Sequence, residues 1–301
     1  MVTKIHSKTV LSLILTIVFI GLILGCAAKK QFWGDEVTGF IVSYRLAPNQ
    51  AWTYHSSSSQ DMTMEQMGQP IEIVTNTFSG YTITGKGVNK QKHLIASFAI
   101  DSMNIVAKMM GRENSADTEP AIGKSFGLTF TPKGKELGLE GADTIQIDIA
   151  VPGAGKQSVE SMFRNLLPNL PDKPIKIGES WVENDTMSMK QSGMDINTII
   201  QSTHTLEAII IIDGMECLKF ATTYKGTLDG EGEQMGASMN FEGDLEGKGT
   251  WYFAYKQGMF VKSNTANFME GTIAVSGAAT MTIPMSQETK SEVRLVLQPG
   301  K

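Results

Sequence analysis

The chain has 301 residues, of which 26 are basic and 31 acidic, so its formal net charge is −5. No basic stripe offsets the acidic excess, which makes nucleic acid an unfavourable partner. A chain of this length can bury a large core, and its 30 glycines and recurrent two-residue alternation are typical of an all-β protein with frequent turns.

The first 25 residues have the pattern of a secretory signal. Lys4 and Lys8 precede a charge-free apolar run over residues 10–24, which is short for a membrane-spanning helix. The run ends in Ile23-Leu24-Gly25-Cys26, which resembles the lipobox of bacterial lipoproteins. The resemblance implies cleavage before Cys26, acylation of that residue and attachment to a membrane through its lipid. The alternatives are an uncleaved anchor helix and an ordinary signal peptide with a chance cysteine.

Residues 26–40 are predicted to form a tether to a β-rich domain over residues 41–301. Ala27 follows the cysteine where inner-membrane lipoproteins typically carry Asp, so the resemblance implies the outer membrane, facing the periplasm, if the cell is Gram-negative. Acylation of Cys26 leaves Cys217 as a lone thiol. We predict that Cys217 is a buried packing residue.

Alternation with a period of two predicts a series of strands along the domain. Asp213-Gly214 predicts a two-residue hairpin turn, because both turn positions need positive φ. Asp229-Gly230 and Lys256-Gln257-Gly258 predict two further turns. The alternating sets are Leu94, Ala96, Phe98 and Ile100; Ile145, Ile147, Ile149 and Val151; residues 200–212; Leu218, Phe220, Thr222 and Tyr224; Trp251, Phe253 and Tyr255; and Val293, Leu295 and Leu297.

One segment departs from this period. Val159, Met162, Phe163 and Leu166 have helical spacing, which predicts an amphipathic helix over about 158–167, capped by Ser158 and ended by Pro168. This helix is expected to connect two β halves, about 41–155 and 172–301. Residues 102–110 fit either a short helix or a bent strand. The similar segments around Phe130 and Phe253 would also fit an internal duplication.

Two stretches, residues 124–141 and 167–182, resemble a group of bacterial envelope proteins of unknown function. Those proteins share the order of β half, helix, a P-x-x-x-G-[DE]-S-W segment and second β half. Here that segment runs from Pro174 through Gly178 to Trp181. The resemblance supplies no catalytic residues, and we interpret Gly178 to Trp181 as a turn followed by a strand whose Trp packs inward.

Three motifs resemble catalytic or metal-binding patterns, but each has a simpler interpretation. The G-x-S-x-G motif around Ser125 lies in a predicted strand, without the elbow that a serine nucleophile needs. Residues 153–156 lack two essential positions of a phosphate-binding loop. The acidic cluster has no EF-hand spacing, and we expect an exposed strand face there. The cluster consists of Asp229, Glu231, Glu233, Glu242, Asp244 and Glu246.

Methionine is unusually frequent, at 18 residues. Met62 and Met64, and Met187 and Met189, are spaced to lie on one face of a strand. Paired thioethers could bind Cu(I), but no His or Cys lies near them in the sequence, so an adaptable apolar lining is the preferred interpretation.

The sequence therefore predicts a mainly β protein, an antiparallel curved sheet or half-barrel in two consecutive halves, with two separate β domains as the alternative. The predicted function is a non-catalytic structural or interaction role for a membrane-anchored lipoprotein of the cell envelope. The alternative is binding or carriage of an apolar or lipid-like ligand in a concave sheet, for which Met187, Met189 and Phe253 are the candidate residues. Cys26 is the lipidation site. We expect no metal, cofactor or catalytic residue, and an envelope protein or a lipid-like ligand as partner.

Overall fold

The computed structural model describes residues 33–66, 68–149, 155–191, 194–234, 237–277 and 280–296. Short 3₁₀ helices lie at Glu119–Ala121, Ala142–Thr144 and Val159–Met162. The strands are β1 (Gly34–Asp35), β2 (Gly39–Phe40), β3 (Ala51–Gln66), β4 (Gln69–Val88), β5 (Leu94–Met109), β6 (Arg112–Ser115), β7 (Ser125–Phe130), β8 (Glu136–Glu140), β9 (Gln146–Asp148), β10 (Lys156–Ser158), β11 (Ser180–Gln191), β12 (Met194–Ile212), β13 (Met215–Gln234), β14 (Ala237–Ala254), β15 (Met259–Ser276) and β16 (Met281–Leu295).

Twelve of these strands form one antiparallel sheet. Its order is β11-β12-β13-β14-β15-β16-β3-β4-β5-β7-β8. Strand β6 pairs with the second part of β5, and β7 pairs with the first part. The last strand of the second half, β16, pairs with the first long strand of the first half, β3. The two predicted halves therefore make one continuous open sheet, as expected, and not two separate domains.

Aromatic contacts show that the sheet is strongly curved. The ring of Tyr44 lies 5.8 Å from that of Phe130 on β7 and 5.1 Å from that of Phe253 on β14. These strands are six positions apart, which would separate them by roughly 29 Å in a flat sheet with a spacing of about 4.8 Å. One side chain can touch both only because the sheet wraps around it.

The concave side, here called the inner face, also carries glycines within its strands. Gly226 on β13 faces Ile200 and Leu245 on the neighbouring strands, and a Cβ at Gly226 would collide with the carbonyl oxygen of Ile199. A mid-strand glycine commonly marks a sharp bend or a close backbone approach. Many of the glycines therefore serve strand packing, in addition to the turns predicted from composition.

The long strands have two unlike ends. The proximal half of the sheet carries the turns at residues 89–93, 131–135, 213–214 and 255–258, and the distal half carries those at Gly68 and at residues 110–111. In the proximal half, the segment 40–46 runs inside the curve. Tyr44 is buried there, and its backbone N–H donates to Pro132 O at 2.8 Å.

Both halves of the chain hold the inner segment in place. The Lys133 ammonium donates to the carbonyl oxygens of Val42 and Pro171 at 2.8 and 2.7 Å. From the other half, Gly258 accepts a hydrogen bond from the Arg45 N–H at 2.9 Å. A residual void of only about 10 Å³ remains near Phe98 and Phe130. The proximal half thus encloses a filled core.

The predicted connector helix over 158–167 was wrong. This segment begins with the end of β10, continues as the 3₁₀ helix Val159–Met162 and turns at Asn165, whose φ is 54°. Its apolar residues pack onto the sheet, and Phe163 contacts the rings of Tyr81 and Phe98. The helical spacing of these apolar residues therefore reflects their contact with the core and not an α-helix. The predicted cap was correct, since Ser158 Oγ accepts from the Glu160 N–H at 3.1 Å.

The turn predictions had mixed outcomes. Asp213-Gly214 forms the hairpin between β12 and β13, with φ values of 50° and 78°, and Gly258 turns the chain between β14 and β15. Asp229-Gly230 is not a turn but lies inside β13. Gly230 faces Ile196 and Phe241, and a Cβ there would lie 2.8 Å from the carbonyl oxygen of Asp195, so packing explains this glycine.

The other ambiguous segments are resolved as strands or lie outside the description. Residues 102–109 continue β5, bent where its register with β4 shifts near Gly80. The set from Ile145 to Val151 yields only the three-residue strand β9, and Val151 and Leu297 lie outside the described residues. Within the described part of the chain, no helix has the length and apolarity to cross a membrane.

Candidate functional site: the distal Met/Ile face and the seam cleft

The inner face of the distal half is lined by aliphatic and thioether side chains. Strand register places Met64 between Ile71 and Met285, and Met62 opposite Ile73. We call this surface the distal Met/Ile face. Its described members are Met62, Met64, Ile71, Ile73, Met187, Ile196, Ile200, Leu228, Met239, Phe241, Leu245, Met269, Ile273, Met281, Ile283 and Met285.

Most of these side chains are only half-buried, in contrast to the core. Met187 is 41% exposed, while Phe241 and Ile273, which face each other on β14 and β15, are 9% and 7% exposed. The opposite face of β14 is polar and exposed, as at Glu242, Asp244 and Glu246. A contiguous apolar surface that keeps contact with solvent is typical of a binding site.

The predicted ligand residues are divided between the two halves. Met187 lies on β11 in the distal Met/Ile face, opposite Thr198. Met189 pairs with Ile196 in the same register, and its side chain is not among those that the structure describes. Phe253 lies in the proximal core, fully buried against Tyr44, so it does not belong to the exposed face. Cys26 and the signal segment lie outside the described residues.

A cleft of about 820 Å³ lies where the two edges of the curved sheet approach each other. It is bounded by Trp181 and Glu183 on edge strand β11 and by Lys133 and Lys135 in the turn before β8. Segment 169–175 forms its floor. Strands β11 and β8 stand at the two ends of the strand order, and the curvature of the sheet brings them together. We call this site the seam cleft.

Polar side chains gather on the inner face beside the seam cleft. Glu183 and Asp185 alternate with outward residues on β11, and Asn169 Nδ2 donates to Glu183 Oε1. Partial burial raises the pKa of Asp185, and the neighbouring Glu183 charge raises it further. Lys135 and His204 act in the opposite direction. Two carboxylates thus lie side by side on the inner face of β11, with Lys135 near them.

His204 is the buried member of this group. Its Nδ1 lies 2.7 Å from Thr222 Oγ1, which also accepts from Trp251 Nε1 at 3.0 Å. Its Nε2 is buried without a hydrogen-bond partner and lies 3.7 Å from Glu183 Oε2. The Trp181 indole stacks on the imidazole with 4.7 Å between ring centroids. The imidazole of His204 is thus held at Nδ1 by Thr222, and its unsatisfied Nε2 points toward Glu183.

Four residues of this group were not predicted from the sequence: Glu183, Asp185, His204 and Lys135. The alternation Trp181, Glu183, Asp185, Met187 was present and could have placed the two carboxylates on the inner face. His204 and Lys135 required the register of β11 with β12 and the curvature of the whole sheet.

The remaining motifs have structural roles or lie on the outer face. Ser125 is the first residue of strand β7 and pairs with Ala99. Gly178 has φ of 87°, and Trp181 packs inward on Phe220, as the turn-and-strand interpretation expected. Cys217 is fully buried. Among the described residues, no three His, Cys, Asp or Glu side chains converge to hold a metal ion.

Comparison with known proteins adds a partial family match. The model of a family of unknown function, DUF6263, matches residues 152–260. No curated protein matches the chain.

Solved structures show only remote likeness. Neisserial surface protein A is 7% identical, with 81% of this chain and 97% of that chain covered and a TM-score of 0.22. Pseudomonas aeruginosa OccK5 is 6% identical, with coverages of 85% and 100% and a TM-score of 0.24. A DUF1329 family protein from Desulfovibrio piger is 11% identical, with coverages of 82% and 87% and a TM-score of 0.14. Likenesses this weak carry no argument about fold or function.

Proposed function

We propose that this protein is an exported lipoprotein of the cell envelope, anchored through Cys26, whose distal Met/Ile face binds an apolar or lipid-like ligand without catalysing a reaction. The observation that supports this proposal best is a contrast along the same strands. The proximal half encloses a filled core, and the distal half leaves thioether and aliphatic side chains half-exposed on a concave surface.

The composition of the face suits a flexible ligand. Methionine is unbranched and polarizable, so Met62, Met269 and Met285 can repack around acyl chains of different shape. Burial of apolar surface contributes about 25 cal/mol per Å², which an acyl chain supplies along its whole length. The face is concave, so a slender chain reaches it more readily than a rigid protein surface.

A structural or interaction role with an envelope protein is the second candidate. The half-exposed apolar surface also favours this role, since such surfaces commonly mark protein contacts. The curvature of the sheet favours a lipid-like ligand over a protein partner, because a protein would have to insert a narrow apolar element into the concave side.

The proposal can be tested by photo-crosslinking in membranes that contain the intact anchored protein. A phospholipid with a diazirine on its acyl chain is activated, and labelled peptides are mapped by mass spectrometry. We expect adducts on the inner-face residues of the distal strands. Ile283→Glu should lower labelling at least tenfold, because it buries a charge among apolar groups. Thr282→Glu, on the exposed face of the same strand, should leave labelling unchanged.

Urea denaturation of both variants checks that they fold. Equal labelling of inner and outer faces, or equal labelling of folded Ile283→Glu and the parent protein, would exclude acyl chains from the distal Met/Ile face and leave the interaction role.

The anchor is tested separately by Cys26→Ser. Without the acylated thiol, the protein should leave the membrane fraction or accumulate uncleaved. Correct cleavage with unchanged membrane association would contradict the anchor.

A further inference from the structure

The seam cleft lies at the polar end of the distal Met/Ile face. On β11, Trp181 and Glu183 line the cleft, and Asp185 and Met187 follow on the same inner face. Alternate residues of a strand are about 6.6 Å apart, so roughly 13 Å separates Glu183 from Met187. A single amphiphile spans such a distance.

The charges in the cleft favour a cation. Glu183 and Asp185 are adjacent on the inner face, and Lys135 is the lysine that faces them. Lys133 directs its ammonium at the carbonyl oxygens of Val42 and Pro171, so it is engaged in holding the core. The charged side chains that line the cleft, counted together with Asp185, are four carboxylates and three lysines, so one negative charge is uncompensated: Asp172, Glu179, Glu183 and Asp185 against Lys133, Lys135 and Lys173.

His204 supplies an independent sign of a missing partner. A buried polar nitrogen without a hydrogen bond costs free energy, and such atoms are rare in folded proteins. His204 Nε2 is such an atom, and the side chain that holds it is only 10% exposed. The space beside it contains Glu183 at 3.7 Å, too far for a hydrogen bond.

An aromatic ring completes the site. Trp181 is half-buried and lines the cleft, with the His204 ring stacked on it. Indole is the aromatic group that attracts cations most strongly. A carboxylate pair beside an indole is a chemical environment suited to an alkylammonium group.

We propose that the seam cleft binds the head group of the lipid-like ligand, and that this head group carries a primary ammonium next to a phosphate, as in an aminophospholipid. The inference rests on the proposed function of the distal Met/Ile face. The ammonium lies between Glu183 and Asp185 against Trp181, the phosphate faces Lys135, and the acyl chains extend past Met187.

The test is a competition measured by native mass spectrometry on the purified full chain in micelles. Phosphatidylethanolamine, phosphatidylcholine and phosphatidylglycerol with identical acyl chains are supplied in equal amounts. We expect phosphatidylethanolamine to be bound at least tenfold in preference to each of the others, because only it combines N–H donors with a phosphate. Glu183→Gln with Asp185→Asn should abolish this preference while total lipid binding persists.

A matched control changes two carboxylates on the outer face, Glu242→Gln with Asp244→Asn, and should keep the preference. If phosphatidylcholine or phosphatidylglycerol binds the parent protein as well as phosphatidylethanolamine, the head-group assignment is overturned. The assignment is also overturned if the preference survives the Glu183 and Asp185 changes. Equal binding of all three lipids leaves the proposed function intact, whereas binding of none overturns both.

Discussion

The proximal and distal halves of the sheet are built from the same strands with the same alternation, yet they differ in what covers their inner face. In the proximal half, aromatic residues such as Trp52, Phe130 and Phe253 enclose the segment around Tyr44. In the distal half, methionine, isoleucine and glycine occupy the equivalent positions and keep contact with solvent. Periodicity therefore decides which residues face inward, and side-chain shape decides whether that interior is filled.

The largest expected effect of a substitution lies in the core. Phe253→Ala should lower the free energy of unfolding by about 3–5 kcal/mol, because it removes a fully buried ring that contacts Tyr44 and leaves a cavity. Met62→Ala, at a half-exposed position of the distal face, should cost about 1 kcal/mol. Urea midpoints measure both. Similar losses would mean that the distal half is packed like the proximal core.

A smaller effect is expected where a glycine lets two strands approach closely. Gly226→Ala should destabilise the protein by about 1–3 kcal/mol, because its new methyl group would collide with the carbonyl oxygen of Ile199. Gly138→Ala is the matched control, since a Cβ there has no neighbour within 4 Å. If both variants have the parent midpoint, the close approach at Gly226 does not make this glycine necessary for stability.

The last expected effect is confined to alkaline pH. Burial raises the pKa of the Cys217 thiol to about 11, whereas an unfolded cysteine has a pKa of about 8.5. Between these values the unfolded chain loses the proton that the folded chain retains, so stability should fall as pH rises from about 9 to about 11. Cys217→Ala should remove that part of the decline. Parallel stability curves for variant and parent would show that the thiol does not contribute.

Much of the fold could be predicted because alternation and turn chemistry are local. Asp213-Gly214 and Asp229-Gly230 show where local information ends. The two dipeptides are identical, but only the first interrupts an apolar alternation, while the second serves the packing of Ile196 and Phe241 across neighbouring strands. The helical spacing around Phe163 misled for the same reason, since contact with a curved sheet imitated a helix face.

The site was predictable in part. The i,i+2 methionines indicated an apolar strand face, and register places Met62 and Met64 on it. From the sequence alone, Phe253 could not be distinguished from a residue of that exposed face, because its burial depends on Tyr44, which lies more than 200 residues earlier. His204 and Lys135 meet β11 only through strand register and the curvature of the whole sheet, which no local pattern encodes.

Native mass spectrometry of the full chain, purified from its own membrane, can decide whether the distal Met/Ile face holds a lipid-like ligand. We expect the protein to retain a non-covalent lipid, in addition to the lipid proposed at Cys26, that is lost in Ile283→Glu and kept in Thr282→Glu. A parent protein that carries no non-covalent lipid, or a folded Ile283→Glu variant that keeps it, would exclude such a ligand from this face.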